Sequence, residues 1–260
     1  MKILVFADLH YFGGTAKTFN TERKLVQFAL PMLKALIKVA EEEKVDLAVN
    51  LGDLIQDDND KQRDLDALAM LFDMLKGFSC PCYSVLGNHD LKMMDSLSEV
   101  ECLTGQESTT FSMDLHGYHL VFLTTELRPE LGRDRGGSYK TQYLAESTLR
   151  WLEKDLAKNT LPYFLFSHFS IAEDDRVTDE CMFMKNREAV KKIVYADGRL
   201  QAVLAGHQHA PKTVDEGGVT HYIVGSPTTC FDGSGIPLGV YRMIETDGDR
   251  FTVEERRIVL

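Results

Sequence analysis

The sequence is short of positive charge. Lysine and arginine number 29 against 40 aspartates and glutamates, a formal net charge of −11. Gripping nucleic acid without regard to sequence requires a basic footprint to replace phosphate counterions, so this balance speaks against a nucleic-acid polymer as partner. Five cysteines, odd in number and scattered, do not make a disulfide framework; they read as reduced thiols of a cytosolic protein. Cys80-Pro81-Cys82 is too tight for a metal knuckle and has no second pair. No run approaches the roughly 18 apolar residues of a membrane span. The opening apolar run, Ile3 to Ala7, ends at once in Asp8, unlike a signal peptide. These absences point to the cytoplasm and to no membrane partner. No Pro/Gly/Ser-rich linker divides the chain, so residues 1–260 read as one domain.

What is present is an ordinary globular composition, 44% apolar and 27% charged. The first half alternates strands and helices. Ile3 to Ala7, Leu47 to Leu51 and Cys82 to Leu86 are short apolar runs suited to strands buried on both faces. Between them the spacing predicts a helix from about Glu22 to Glu43, with a three-and-four stripe of Leu25, Phe28, Ala29, Met32, Leu33, Leu36, Ile37 and Ala40. Asn20 and Thr21 are its caps, and Pro31 is expected to kink it. A second helix is expected near Lys61 to Lys76. The second half is richer in strands, with a hairpin across His116-Gly117, a helix over Glu146 to Lys158, a strand over Tyr163 to Ser167, a helix over Asn186 to Ala196 and a strand over Ala202 to Ala205. Short strands at Val214 and Tyr222 and a hairpin at Asp247-Gly248 complete it. Such alternation predicts a layered α/β architecture with mixed sheets.

Five predicted strand ends finish in metal-ligand residue types: Asp8-Leu9-His10, Gly52-Asp53, Gly87-Asn88-His89-Asp90, Ser167-His168 and Gly206-His207-Gln208-His209. The crevice beyond the carboxyl ends of strands is where α/β sheets bind ligands. Asp8 and His10, like His207 and His209, are two apart, so in extended backbone each pair shares a face. Gly52, Gly87 and Gly206 permit tight turns there. Asp8, His10, Asp53, Asn88, His168, His207 and His209 are too many for one catalytic ion; they suit two ions sharing a bridging carboxylate. Two carboxylates against two divalent cations leave the site about +2, which favours an anionic substrate, above all a small phosphoester. Mixed imidazole and oxygen donors favour manganese, iron, cobalt or zinc over magnesium or calcium. Water between such ions becomes a hydroxide nucleophile near neutral pH.

His89 adjoins a ligand but points elsewhere, and is a candidate general acid for an alkoxide leaving group. Asp90 either orients it or caps a helix before Leu91. Asp57, Asp58 and Asp60 read as a solvated helix entry, and His116, His119 and His221 as surface or hairpin residues. Tyr11, Phe12, Phe169 and Phe231 fall in loops near the ligand blocks, where they either line a substrate pocket or pack the loops.

In this order, spanning residues 8 to 209, the five blocks resemble the calcineurin-like metallophosphoesterase superfamily. The resemblance implies a four-layer αββα sandwich with two mixed β-sheets and two metal ions at the C-terminal strand ends. It further implies Asp8, His10, Asp53 and His209 on one ion and Asp53, Asn88, His168 and His207 on the other. Gly52-Asp53-Leu54-Ile55-Gln56-Asp57-Asp58 lacks the arginine that follows Gly-Asp in Ser/Thr protein phosphatases. Together with Gly206 to Pro211 and Gly225-Ser226-Pro227, it looks closer to class III cyclic-nucleotide and glycerophosphodiester phosphodiesterases, although Ser167-His168-Phe169 stands where that group often has His-His-Pro. A phosphodiesterase is thus expected. A phosphomonoesterase or nucleotide pyrophosphatase using the same site is the alternative, and a metal-poor protein-binding scaffold is disfavoured because all seven ligands are retained.

Overall fold

The computed structural model describes residues 1–14, 23–133, 139–248 and 250–260, with side chains left out for 128–141. The caps expected at Asn20 and Thr21, and the helix start at Glu22, lie outside these residues.

The first half supplies strands β1 (Lys2–Phe6), β2 (Leu47–Asn50) and β3 (Cys82–Ser84), and helices α1 (Ala29–Glu42), α2 (Lys61–Leu75), α3 (Asn88–Leu91) and α4 (Ser98–Thr104). The second half supplies β4 (Phe111–Leu115), β5 (Tyr118–Leu123), β6 (Glu126–Arg133), β7 (Tyr139–Tyr143), α5 (Glu146–Lys158), β8 (Tyr163–Ser167), α6 (Arg187–Asp197), β9 (Leu200–Ala205), β10 (Lys212–Glu216), β11 (Val219–Ile223), β12 (Val240–Asp247) and β13 (Arg250–Arg257). One sheet runs β13-β12-β1-β2-β3, the other β10-β11-β9-β8-β5-β4, and β6-β7 form a separate hairpin. Both large sheets are mixed. β1, β2 and β3 are parallel while β12 opposes β1; β5, β8, β9 and β11 are parallel while β4 and β10 oppose their neighbours.

Alternation along the strands builds the layers. Leu4 and Phe6 of β1 pack with Met32, Leu33 and Leu36 of α1 and Leu68 and Leu71 of α2. Ile3 and Val5 of the same strand face the other sheet, meeting Leu120, Phe122, Phe164 and Phe166. On the far side, Val121, Leu165 and Val203 pack under Leu152 and Leu156 of α5 and Val190 and Val194 of α6. The order is helix, sheet, sheet, helix, an αββα sandwich. Full burial of each large side chain in these layers contributes roughly 1.5–3 kcal/mol.

The helix over residues 22–43 is shorter than expected. Val26–Phe28 forms a 3-10 turn and α1 begins only at Ala29. Pro31 therefore lies in the first turn of α1, where its missing N–H has no intrahelical partner to lose. Asp60 caps α2, accepting from Gln62 and Arg63 N–H at 3.1 and 3.2 Å. All five cysteines are free. Among the described residues no helix is long and apolar enough to cross a membrane.

Candidate metal centre

The parallel strands of both sheets end on the same edge of the sandwich. Asp8 and His10 follow β1, Asp53 follows β2, and Asn88 opens α3 shortly after β3. His168 follows β8, and His207 and His209 follow β9. The loops are tied to one another before any side chain acts. Asp8 N–H donates to Gly52 O at 2.9 Å and His10 N–H to Asp53 O at 3.0 Å. Ser226 Oγ donates to Asp8 O at 2.8 Å, and Thr228 Oγ1 to Leu9 O at 3.1 Å.

The backbone at the site is unusual. Asp8, His10, Asp53, His207 and His209 all have positive φ, between 49° and 66°. Only Lys44, Asn59 and His116 share this property among the described non-glycine residues. The left-handed region is unfavourable for residues with a Cβ, and its concentration here marks backbone held by its surroundings for a task. It also corrects the extended-backbone argument. The two i, i+2 pairs converge through left-handed turns, not along a strand. Gly52 (φ +93°) and Gly87 stand where these loops nearly touch: a Cβ at Gly52 would strike the backbone of Gly87, and one at Gly87 would strike Asp53.

One ligand atom from each of Asp8, His10, Asp53 and His209 lies within 4.8 Å of the others, and Asp53, His168 and His207 form a second such group. Asp53 belongs to both. Asn88 Oδ1 joins the second group, 3.2 Å from His168 Nε2. The seven residues singled out from the sequence thus lie together in two overlapping groups that share Asp53.

Hydrogen bonding shows which ring nitrogens are left to bind an ion. His168 Nδ1 is 2.7 Å from Leu51 O and His207 Nε2 is 3.0 Å from Cys181 O, so each of these nitrogens carries a proton donated to a carbonyl. In the neutral rings, His168 Nε2 and His207 Nδ1 are then lone pairs, and they face each other at 3.2 Å. His168 Nε2 also faces Asp53 Oδ2 at 3.5 Å. His10 Nε2 and His209 Nε2 meet at 2.9 Å. Lone pairs and carboxylates gathered this way require a cation between them. Burial disfavours a charged His168, yet Asp53 and Asp8 outweigh it and push its pKa up to about 9. Burial pushes Asp8 up to about 7, and pushes His207 and His209 down to about 3. Neutral imidazoles are the form a metal ion binds. The residues therefore fit two metal ions.

His89 and Asp90 part company. Asp90 is fully buried, and its carboxylate accepts from the N–H groups of Gly87, Asp53, Leu54 and Ile55 at 2.9, 2.8, 2.9 and 3.3 Å. It clamps the loops after β2 and β3 together and makes no bond to the His89 ring. Of the two roles expected of Asp90 the structure shows the capping one, through Gly87 N–H at the start of α3, and Asp57 Oδ1 stands against the His89 ring in its place, 2.5 Å from Nδ1. Asp57 is no solvated helix entry. It is 1% exposed, and its other oxygen accepts from Lys92 Nζ at 2.6 Å. Burial would raise its pKa, but His89 and Lys92 hold it below the usual carboxylate range. Gln56, Lys24 and Arg23 were also not singled out from sequence, and they line a cavity of about 520 Å³ with His89 and Phe231. Of the loop aromatics, Phe231 lines this cavity, Tyr11 and Phe12 line a neighbouring one, and Phe169 is core packing against the rings of His168 and His207.

The three other histidines lie in hairpins, as expected, but two of them are buried there. His119 is held by Asp114 and Asp155, and His221 by the Tyr195 hydroxyl. His116 is exposed in its hairpin.

The sequence matches the family model for calcineurin-like phosphoesterases over residues 1–211, and the chain belongs to that family. Its members bind two divalent metals and hydrolyse phosphoesters. No curated protein matches the chain. Among solved structures, it is similar to a dimetal phosphatase from Danio rerio (TM-score 0.74, 18% identity, 98% of this chain and 96% of that one). A putative 5′-nucleotidase from Staphylococcus aureus is similar over 99% of this chain and 54% of its own (TM-score 0.59, 11% identity). Phosphopantetheinyl hydrolase from Mycobacterium tuberculosis matches over 87% and 90% (TM-score 0.54, 14% identity). At these identities the likeness is one of fold.

Proposed function

We propose that the protein is a phosphodiesterase acting on a small phosphodiester in the cytoplasm, with manganese, iron or zinc as its ions. Asp8, His10, Asp53 and His209 would hold one ion, and Asp53, Asn88, His168 and His207 the other. When bound, the ions supply positive charge for the phosphoryl oxygens and lower the pKa of water to near neutrality.

The observation that carries the diesterase reading is the chain Lys92–Asp57–His89. A diester has a poor alkoxide leaving group and needs a proton donor. Asp57 accepts from His89 Nδ1, which fixes the tautomer and ring orientation and leaves Nε2 as the catalytic nitrogen. Lys92 and the ring together hold that carboxylate ionised. Asp90 acts as a positioning residue, holding the Asp53 and Gly87 loops in register. Five free thiols agree with a reducing compartment.

The test is hydrolysis of bis(p-nitrophenyl) phosphate and p-nitrophenyl phosphate by one manganese-loaded preparation. Faster turnover of the diester supports the reading. Turnover of the monoester alone would replace it with a phosphomonoesterase, and no turnover of either would overturn it.

A further inference from the structure

The large apolar side chains left exposed are not scattered. Among the described residues they are Met70, Phe231, Ile236, Val259 and Leu260, and all but Met70 line one cavity of about 550 Å³, together with Phe28. Single exposed apolar residues need no explanation, but a cluster of them in a concave site marks a place where something apolar binds. Backbone fixes the walls. Leu238 N–H donates to Thr229 O at 2.9 Å and closes the loop that carries Phe231 and Ile236. Ile258 N–H donates to Gly239 O at 2.8 Å, which sets Val259 and Leu260 beside the root of that loop. Gly239 has φ +64°, and a Cβ there would strike Ile258 O, so the two segments meet at a position only glycine fits.

This apolar cavity adjoins the metal edge. Phe231 lines both it and the cavity of Asp53, His89 and His209. Cys230 N–H donates to Arg23 O at 2.8 Å and Lys24 bridges Thr229, so the strand-like pairing that places Phe231 also brings two cations to the junction. Lys24 is half-buried, and its ammonium donates to Gln56 Oε1 at 2.8 Å. The Gln56 amide nitrogen in turn lies 3.3 Å from His89 Nδ1. A ligand lying across the Phe231 ring therefore meets cations, His89 and metal-ligand residues at one end, and apolar walls at the other. That is the polarity of an amphiphile with an anionic head, and the continuity of the two cavities argues for one ligand in both.

Resting on the phosphodiesterase reading, we propose that this cavity binds an apolar chain of the substrate, so that the favoured substrates are amphiphilic phosphodiesters with an alkyl or acyl chain on one ester arm. The phosphate sits at the metal edge beside Arg23 and Lys24, and the chain crosses Phe231 to reach Ile236, Val259 and Leu260. The chain adds affinity and takes no part in the reaction. Water oxygen bonds to phosphorus, the P–O bond to the leaving alcohol breaks, His89 gives that alkoxide a proton, and a proton of the attacking water replaces it.

The experiment measures hydrolysis of p-nitrophenyl methyl, butyl and octyl phosphate by manganese-loaded wild type, Ile236→Asp and Val259→Asp. Ethyl and octyl phosphate are titrated calorimetrically into the same preparations. Ile236 and Val259 are 69% and 94% exposed, so a charge at either place leaves the fold intact. A fully buried methylene corresponds to about fourfold in binding. In this open cavity the octyl ester should show a KM at least about 30-fold below that of the methyl ester, with kcat little changed. Octyl phosphate should bind more tightly than ethyl phosphate by a similar margin, with a more negative heat-capacity change. Each aspartate should shrink both margins at least about tenfold, with melting temperature and metal content kept. Equal KM values along the series, or margins that survive both substitutions, would overturn the assignment of the cavity. So would a dimer in sedimentation that both substitutions dissociate, with no dependence on chain length, since a second copy would then fill it. Inertness of loaded wild type on all three esters, with octyl phosphate still preferred, would overturn the phosphodiesterase reading and leave the cavity assignment standing.

Discussion

Asp57 Oδ1 lies 2.5 Å from His89 Nδ1, and the other oxygen of the same buried carboxylate lies 2.6 Å from Lys92 Nζ. A histidine oriented in this way at the edge of the metal centre is expected to transfer a proton and to hold no metal. His89→Ala should lower kcat on an alkyl phosphodiester by about 10²- to 10⁴-fold. Metal content by elemental analysis should stay at the wild-type level. Loss of metal in this variant would make His89 part of the binding frame.

Asp57→Asn should act through His89. We expect kcat to fall about 10- to 100-fold with KM little changed. The deficit should shrink on a p-nitrophenyl ester, whose leaving group needs less protonation. A deficit that is the same for alkoxide and p-nitrophenolate leaving groups would argue that Asp57 only supports the fold.

Asp90 presents the contrasting case. Its carboxylate is fully buried and receives four backbone N–H groups from two loops. Asp90→Ala leaves all four without an acceptor, at a cost of about 3 kcal/mol or more. Chemical denaturation should show that loss, accompanied by weaker metal retention. A variant of wild-type stability and metal content that has lost turnover would restore Asp90 to the catalytic group.

His221 gives a pH dependence away from the metal centre. It is 1% exposed, and burial pushes its pKa down to about 4. The unfolded histidine titrates near 6.5, so between the two values the unfolded chain binds a proton that the folded chain does not. Its contribution to stability is therefore complete above about pH 6.5 and is lost as pH falls through about 4, amounting to about 3 kcal/mol. His221→Phe should flatten the fall in stability between pH 6.5 and 4 relative to wild type. Parallel curves for the two proteins, from denaturant titrations across that range, would contradict this.

The residues gathered at this edge were legible because each is a metal-binding residue type at the end of an apolar run. The layered α/β architecture with mixed sheets was legible because strands of continuous apolar character alternate with striped helices, while the αββα order followed from the family resemblance. Asp57 was not. In sequence it sits among Asp58 and Asp60 before a helix, and its burial depends on His89 and Lys92, which arrive from 32 and 35 residues away. Similarly, His119 and His221 lie in hairpins, but Asp155 and Tyr195, on helices far along the chain, cover them. Left-handed backbone at Asp8, His10, Asp53, His207 and His209 carries no sequence signal, since no glycine marks it. It arises from loop-to-loop hydrogen bonds that exist only in the folded edge. Lys24 was hidden for the same reason, its direction being set by pairing with Thr229.

The central claim is that Asp53 joins two ions in one hydrolytic centre. Metal stoichiometry of wild type and Asp53→Asn, measured beside diester turnover after manganese loading, tests it most directly. Two ions per wild-type chain are expected, with depletion of both and loss of turnover in Asp53→Asn. A wild type that turns over with one ion, or an Asp53→Asn variant that keeps two and stays active, would contradict it.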